Sequence, residues 1–255
     1  MRTTVFCLML LALAACGEGD SSERHLARAK AFIEESDSAA ATIELQNALQ
    51  LDGNSAEARW LLGKLQLEAG EILAAENELQ RAQTLGWTAN DLRPALAATL
   101  LAQGKFADVL QLDDKDLDTA AASLLLANQA LAALSSGQRE DALKLATLAR
   151  EKDPQVLEAK LAEATVTVHL REAQRALELA DSILESSADN SEAWWIKAQA
   201  LSRLGKLEEA RTALDQSVAL ADSALTYRIA RALINVQLQD YDAARVDATE
   251  LLAQS

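Results

Sequence analysis

Proline is nearly missing from this sequence, with two residues in 255, and aromatic side chains make up only 4%. Glycine is scarce too, at nine. So few breakers leave long stretches free to stay helical. No run of alternating β-branched or aromatic residues is joined to another by Asn-Gly or Asp-Gly, so paired strands are not expected. Cysteine occurs twice, as Cys7 and Cys16, both in the first sixteen residues. That excludes a disulfide framework. The two histidines, His25 and His169, have no second His or Cys at metal-ligand spacing, and both read as surface or groove-edge residues. Glycine-rich phosphate loops and a nucleophile elbow are absent. The sequence therefore points to no catalytic residue, no metal and no cofactor.

Positive charge is also short. Lys and Arg number 24 against 39 Asp and Glu, a formal net charge of −15. Removing the first fifteen residues takes away Arg2 and no acid, leaving −16. Such a surface repels nucleic acid phosphates and gains nothing from anionic lipid headgroups. The acidity serves solubility, or else steers a basic partner. The densest acidic stretch, Asp113, Asp114, Asp116 and Asp118, reads as a solvated loop. It lacks the Gly turn and terminal Glu of a calcium loop. The pairs Glu34/Glu35 and Glu208/Glu209 read as solvated helix faces, and no pair of carboxylates is singled out for glycoside hydrolysis.

What the chain has in quantity is Ala and Leu, and half its residues are hydrophobic. They are periodic. IELQNALQLDGNSAEARWLLGKLQLEAG overlays NELQRAQTLGWTANDLRPALAATLLAQG with an offset of 34 residues. Small residues recur at Ala29, Gly63, Ala97, Ala130, Ala164, Ala198 and Ala232. A second series, Ala41, Ala75, Ala142, Ala176, Ala210 and Ala244, stays twelve residues behind, with Val109 in the third unit. Gly70, Gly104, Gly137 and Gly205 fall seven residues after the first series, where a helix should end. Two helices must approach closely across the small side chains. One such hairpin cannot bury its apolar face alone, so units stack. This predicts an all-α solenoid of seven hairpins: residues 22–55, 56–89, 90–122, 123–156, 157–190, 191–224 and 225–255. In the third unit the second helix, near residues 105–112, should be short and run into the acidic stretch, with local irregularity.

The period, the small-residue positions and the turn Gly resemble the tetratricopeptide repeat (TPR), with Pro154 at that family's end-of-unit proline. The resemblance implies a right-handed solenoid and a concave groove for a protein or peptide partner. It also implies groove positions: Glu57, Trp60, Lys64 and Leu67 in unit two, and Glu192, Trp195, Gln199 and Arg203 in unit six. Trp60 and Trp195 are the favoured anchors, because Trp buries much area and keeps a polar handle. Trp194 is expected in the core instead.

Ahead of the repeats, Val5 to Ala15 is an apolar run too short to span a membrane, preceded by Arg2. It reads as a signal peptide over residues 1–15. Its end, Leu13-Ala14-Ala15-Cys16, resembles a bacterial lipobox. That implies an acylated Cys16, a flexible tether over residues 16–21 and a membrane anchor. By resemblance to enterobacterial sorting, Gly17 rather than Asp favours the periplasmic face of the outer membrane. With the lipobox, the stretch HLARAKAFIEESDSAAATIELQNALQLDGNSAEARWLLGKLQLEAG followed by ALAATLLAQGKFADVL resembles the amino-terminal part of the TPR lipoproteins of PEP-CTERM/exosortase systems. This implies a scaffold in exopolysaccharide-linked surface assembly. The alternative resemblance is a pilotin-like lipoprotein that assists secretin or type IV pilus assembly. Lipidation is directly testable: Cys16→Ser should abolish labelling by an alkyne fatty acid and move the protein out of the membrane fraction, and unchanged labelling would refute it.

Overall fold

The computed structural model describes residues 21–221 and 225–253. The signal peptide, Cys16 and nearly all of the tether lie outside the described residues. Fourteen α-helices and no strand occur among the described residues, so the chain is all-α, as its composition predicts. No helix among them is long and apolar enough to cross a membrane. The chain divides into two compact units, Met1–Thr88 and Ala89–Ser255.

The first unit holds two hairpins: α1 (Ser22–Glu34) with α2 (Ser38–Leu51), and α3 (Ala56–Glu68) with α4 (Ile72–Thr84). The second holds five. They are α5 (Leu92–Ala102) with α6 (Phe106–Gln111), α7 (Thr119–Ser135) with α8 (Arg139–Lys152), and α9 (Leu157–His169) with α10 (Ala173–Ser186). Then come α11 (Ser191–Arg203) with α12 (Leu207–Leu220), and α13 (Leu225–Gln237) with α14 (Tyr241–Ala253). In this second unit the leading helices α5, α7, α9 and α11 each touch the next, and α8, α10 and α12 pack on the leading helix that follows.

The hairpins close where the small residues lie. Ala29, Ala97, Ala130, Ala164 and Ala198 are buried, and so are Ala41, Ala75, Ala142, Ala176 and Ala210. At Gly63 a Cβ would sit 2.8 Å from Cγ of Leu79 and 3.2 Å from the Ala75 carbonyl oxygen, so α3 and α4 meet at van der Waals limit. Around these contacts the apolar clusters bridge hairpins. One runs from Leu161 and Val168 on α9 through Ile183 on α10 to Ile196 on α11. A cluster that borrows its third wall from the next hairpin explains why units must stack.

Each leading helix ends the same way. Ser36, Gly70, Gly104, Gly137, Arg171, Gly205 and Gln239 all have positive φ, between 60° and 78°. Each donates its N–H three residues back, and the following residue donates five back, as in Glu71 to Gln66 at 2.8 Å and Lys206 to Leu201 at 3.0 Å. This is the Schellman arrangement, which satisfies carbonyls left open at a helix end. Glycine alone adopts this backbone without strain, so its spacing revealed four of the seven turns. Ser36, Arg171 and Gln239 hold the same left-handed conformation at a cost of roughly 1–2 kcal/mol each.

In the third hairpin α6 has only six residues. The acidic stretch after it is tied down. Arg93 donates to the Asp113 carboxylate at 2.7 Å and backbone carbonyl at 2.8 Å, and Asp118 caps α7 by accepting from the Ala121 N–H at 2.8 Å.

Gly63→Val should lower unfolding free energy by about 1–3 kcal/mol, through overpacking against Leu79. Gly53→Ala, where a Cβ meets nothing closer than 3.7 Å, should be near neutral. Urea titration of both variants checks this; equal stabilities would show that the close approach is not limiting.

Candidate functional site

Among the described residues, several charged side chains clip neighbouring helices together. The clips recur at one repeat position near the start of α1, α3 and α5. His25 meets Glu44 at 2.5 Å, Arg59 meets Glu78 at 2.5 Å, and Arg93 meets Asp113 at 2.7 Å. His25 is thus buried, with Nδ1 against the Glu44 carboxylate, and not the surface or groove-edge histidine expected from the sequence. Its position one turn inside α1 turns it toward α2. His169 is exposed, with Nδ1 2.9 Å from the Thr165 carbonyl oxygen. Glu163, fully buried on α9, is gripped by Arg150 of α8 and by Arg175 of α10 at 2.8 Å. In the last hairpin Asp247 is buried against Arg231 at 2.5 Å, and Asp215 lies 3.0 Å from the same guanidinium. The Asp247 hydrogen bond, foremost, holds Arg231 more firmly protonated than usual. A buried carboxylate persists only when paired in this way. Among the described residues no cluster of His, Cys, Asp or Glu could hold a metal.

The groove residues fall into the two units. In the first, Trp60 packs on the Ala29–Leu65 core and tilts against Trp87, with ring centroids 5.3 Å apart. Lys64 lies over the Trp60 ring at 4.9 Å, and Leu67 is half-buried. The indole N–H of Trp60 is buried without a hydrogen bond, so its polar end points away from solvent.

In the second unit, Trp195 packs beside Ala198, Leu201 and Ile234 and tilts against Tyr227 of α13 at 5.4 Å. Gln199 is half-buried one turn on, and Arg203 is exposed in the last turn of α11. Trp194 faces the same apolar cluster, and its Nε1 donates to the Ala188 carbonyl at 2.9 Å. Next to Trp195, Glu192 carries a carboxyl pushed above its usual range, first by desolvation and second by Glu158 on α9. Glu192 is exposed as a residue, while its carboxyl is desolvated and faces the charge of Glu158. Tyr227 is raised as well, by desolvation and by Glu192, against a lowering hydrogen bond from Ser191.

The same repeat position shows why these acids are unpaired. In the first unit Glu57 is neutralised by Lys30, 27 residues earlier, at 2.7 Å. The residues 27 before Glu158 and Glu192 are Leu131 and Thr165, which carry no charge. Neither acid has an ion-pair partner among the described residues. Sequence reading named Glu192 and Trp195 but missed Glu158 and Tyr227. The signal was available, since Glu158 precedes Glu192 by one repeat.

Comparison with known proteins agrees with the helical repeat. Residues 196–255 match the family profile of the tetratricopeptide repeat, and residues 135–217 match that of anaphase-promoting complex, cyclosome, subunit 3. No curated protein matches the chain. Among solved structures, a tetratricopeptide repeat protein from Parabacteroides merdae is similar, with TM-score 0.67 and 13% identity, over 91% of this chain and 92% of that one. The APC/C hetero-tetramer Cut9-Hcn1 gives 0.73 at 14% identity, over 91% of this chain and 46% of that one. Pseudomonas aeruginosa pilF gives 0.61 at 16% identity, over 83% and 96%. At these identities the likeness is one of fold. The chain is a TPR-type α-solenoid, a fold suited to holding protein partners, and neither profile describes a catalytic family.

Glu192→Gln should stabilise the chain at neutral pH. A carboxyl raised in the folded state costs stability once pH exceeds its folded pKa, and costs nothing below the unfolded value near 4.3. The gain should therefore be present at pH 7 and vanish below about pH 4. Urea unfolding at both pH values measures it; a gain that persists in acid would mean the effect is not electrostatic.

Proposed function

We propose that this chain is a lipid-anchored scaffold of the bacterial envelope that holds a segment of a protein partner on its leading-helix face. The observation that carries this reading is the patch on the second unit. The Trp195–Tyr227 pair offers an apolar and aromatic seat, and the unpaired carboxylates of Glu158 and Glu192 lie beside it. Two like charges crowded without a counter-ion favour an incoming Lys or Arg, and an aromatic face adds cation–π attraction. The overall acidity steers a basic segment toward the site. In the first unit Trp60, Lys64 and Leu67 form a less polar contact surface.

Acylation at Cys16 would keep the scaffold at the periplasmic face of the outer membrane. One acyl chain holds marginally, so stable attachment needs the two or three that lipobox processing adds. The wording of residues 23–112 supports a place in exopolysaccharide or exosortase-linked surface assembly. A second reading, assistance to a secretin or type IV pilus, is supported by the lipobox and by a chain length close to that of the pilF structure.

In-cell crosslinking, followed by capture of the lipidated protein and mass spectrometry, tests these readings, with Trp60→Ala/Trp195→Ala as the control. Recovery of polysaccharide-export or exosortase-linked proteins, lost in the double variant, is the expected result. Recovery of a secretin would select the second reading. Equal recovery by wild type and variant would sink the groove assignment.

A further inference from the structure

One cleft in the second unit contradicts the acidity of the rest of the chain. It is an open depression of about 710 Å³ where the α9–α10 turn faces the end of α11, and Arg171, Arg175 and Arg203 line it together with Glu172 and Gln174. Arg175 is already committed, to Glu163 at 2.8 Å and to Glu172 at 3.3 Å. The side chains of Arg171 and Arg203 make no hydrogen bond or ion pair among the described residues. At the same two positions of the other successive turns the sequence carries no such pair of arginines: it has Ser36 and Glu68, Gly70 and Ala102, Gly104 and Ser135, Gly137 and His169, and Gly205 and Gln237. Arg171 also occupies the left-handed position, at φ 66°, that four sister turns give to glycine. A strained residue whose side chain does nothing for the chain itself points to a contact outside it.

We propose that this cleft binds the carboxylates of an acidic peptide segment, and that the segment belongs to the partner held on α11. Guanidinium groups present planar forks that match carboxylates bidentately. Trp195, Gln199 and Arg203 follow one another at intervals of four, so one face of α11 leads from the aromatic seat to the cleft. Glu192 and Arg203 are eleven residues apart, about 16 Å along the helix, the reach of roughly five extended residues. A segment with a basic side chain at one end and acidic ones at the other would be held in a single direction. The direction rests on the scaffold reading above; the cleft's preference for carboxylates does not.

The test uses the full chain and fluorescence anisotropy with a labelled hexapeptide of alternating Asp and Glu, against its Asn/Gln counterpart. The acidic peptide should bind about tenfold or more tightly, with affinity falling as salt rises. Arg203→Gln and Arg171→Gly should each weaken it about tenfold. Arg171→Gly should at the same time unfold at higher urea, because glycine relieves the left-handed strain. That opposition of stability and affinity separates a binding role from a structural one. Equal affinity for the two peptides, or unchanged affinity when Arg171→Gly and Arg203→Gln are combined, overturns the proposal. Displacement by inorganic phosphate at concentrations matching the peptide's would make the cleft a small-anion site and overturn the peptide assignment. Trp195→Ala should leave acidic-peptide binding intact while weakening partner capture; undiminished partner capture in that variant would count against the scaffold reading and not against the cleft.

Discussion

Two helices packed across an alanine or a glycine come closer than two packed across a leucine, and every hairpin here relies on that approach. The contact at Gly63, where even a methyl group would strike Leu79, marks its limit. Small side chains at the seam bury little area apiece, so a single hairpin cannot offset the conformational entropy of ordering its own residues. Clusters such as the one joining α9, α10 and α11 therefore draw on three helices, and stability is shared between neighbours.

The thin seam also governs where charge can go. Beside it the chain sets polar and charged side chains against one another: His25 meets Glu44 and Arg59 meets Glu78 across their hairpins, and buried Glu163 takes Arg175 from its own hairpin and Arg150 from the preceding one. These pairs fill space with long side chains and fix which returning helix belongs to which leading helix. They also make the exceptions conspicuous. Glu158 and Glu192 stand at a position that Lys30 neutralises for Glu57, but their own partners have become Leu131 and Thr165. Arg171 replaces a turn glycine. Departures from a repeat's own rule that cost stability are where function is to be sought.

The leading helices supply the surface on which those exceptions lie. In the second unit they touch one another along the row, and their outward positions are not consumed by packing. Trp195 shows the compromise. One edge seals the cluster around Leu201 and Ile234, and the ring also faces Tyr227 from the next hairpin. Trp60 goes further into its core, with its N–H enclosed. Two tryptophans at the same repeat position therefore differ in what they can offer a partner.

The period, the helical class and four of the seven turns were legible in the sequence, because close packing and left-handed backbone each demand one residue type at a fixed spacing. Such demands are local and survive in a linear text. Trp195 and Glu192 were named from the resemblance to the tetratricopeptide repeat, at the positions that Trp60 and Glu57 hold in the second hairpin. What only the tertiary structure decided was which charges meet. His25 looked like a surface residue until α2 brought Glu44 to it, and Ser36, Arg171 and Gln239 gave no sign of left-handed backbone. Pairing depends on side chains 12 to 22 residues apart reaching across a hairpin, and on a neighbour one repeat away being charged or not. That is a property of distance in space, where Coulomb energy and desolvation act, and no spacing rule along the chain encodes it.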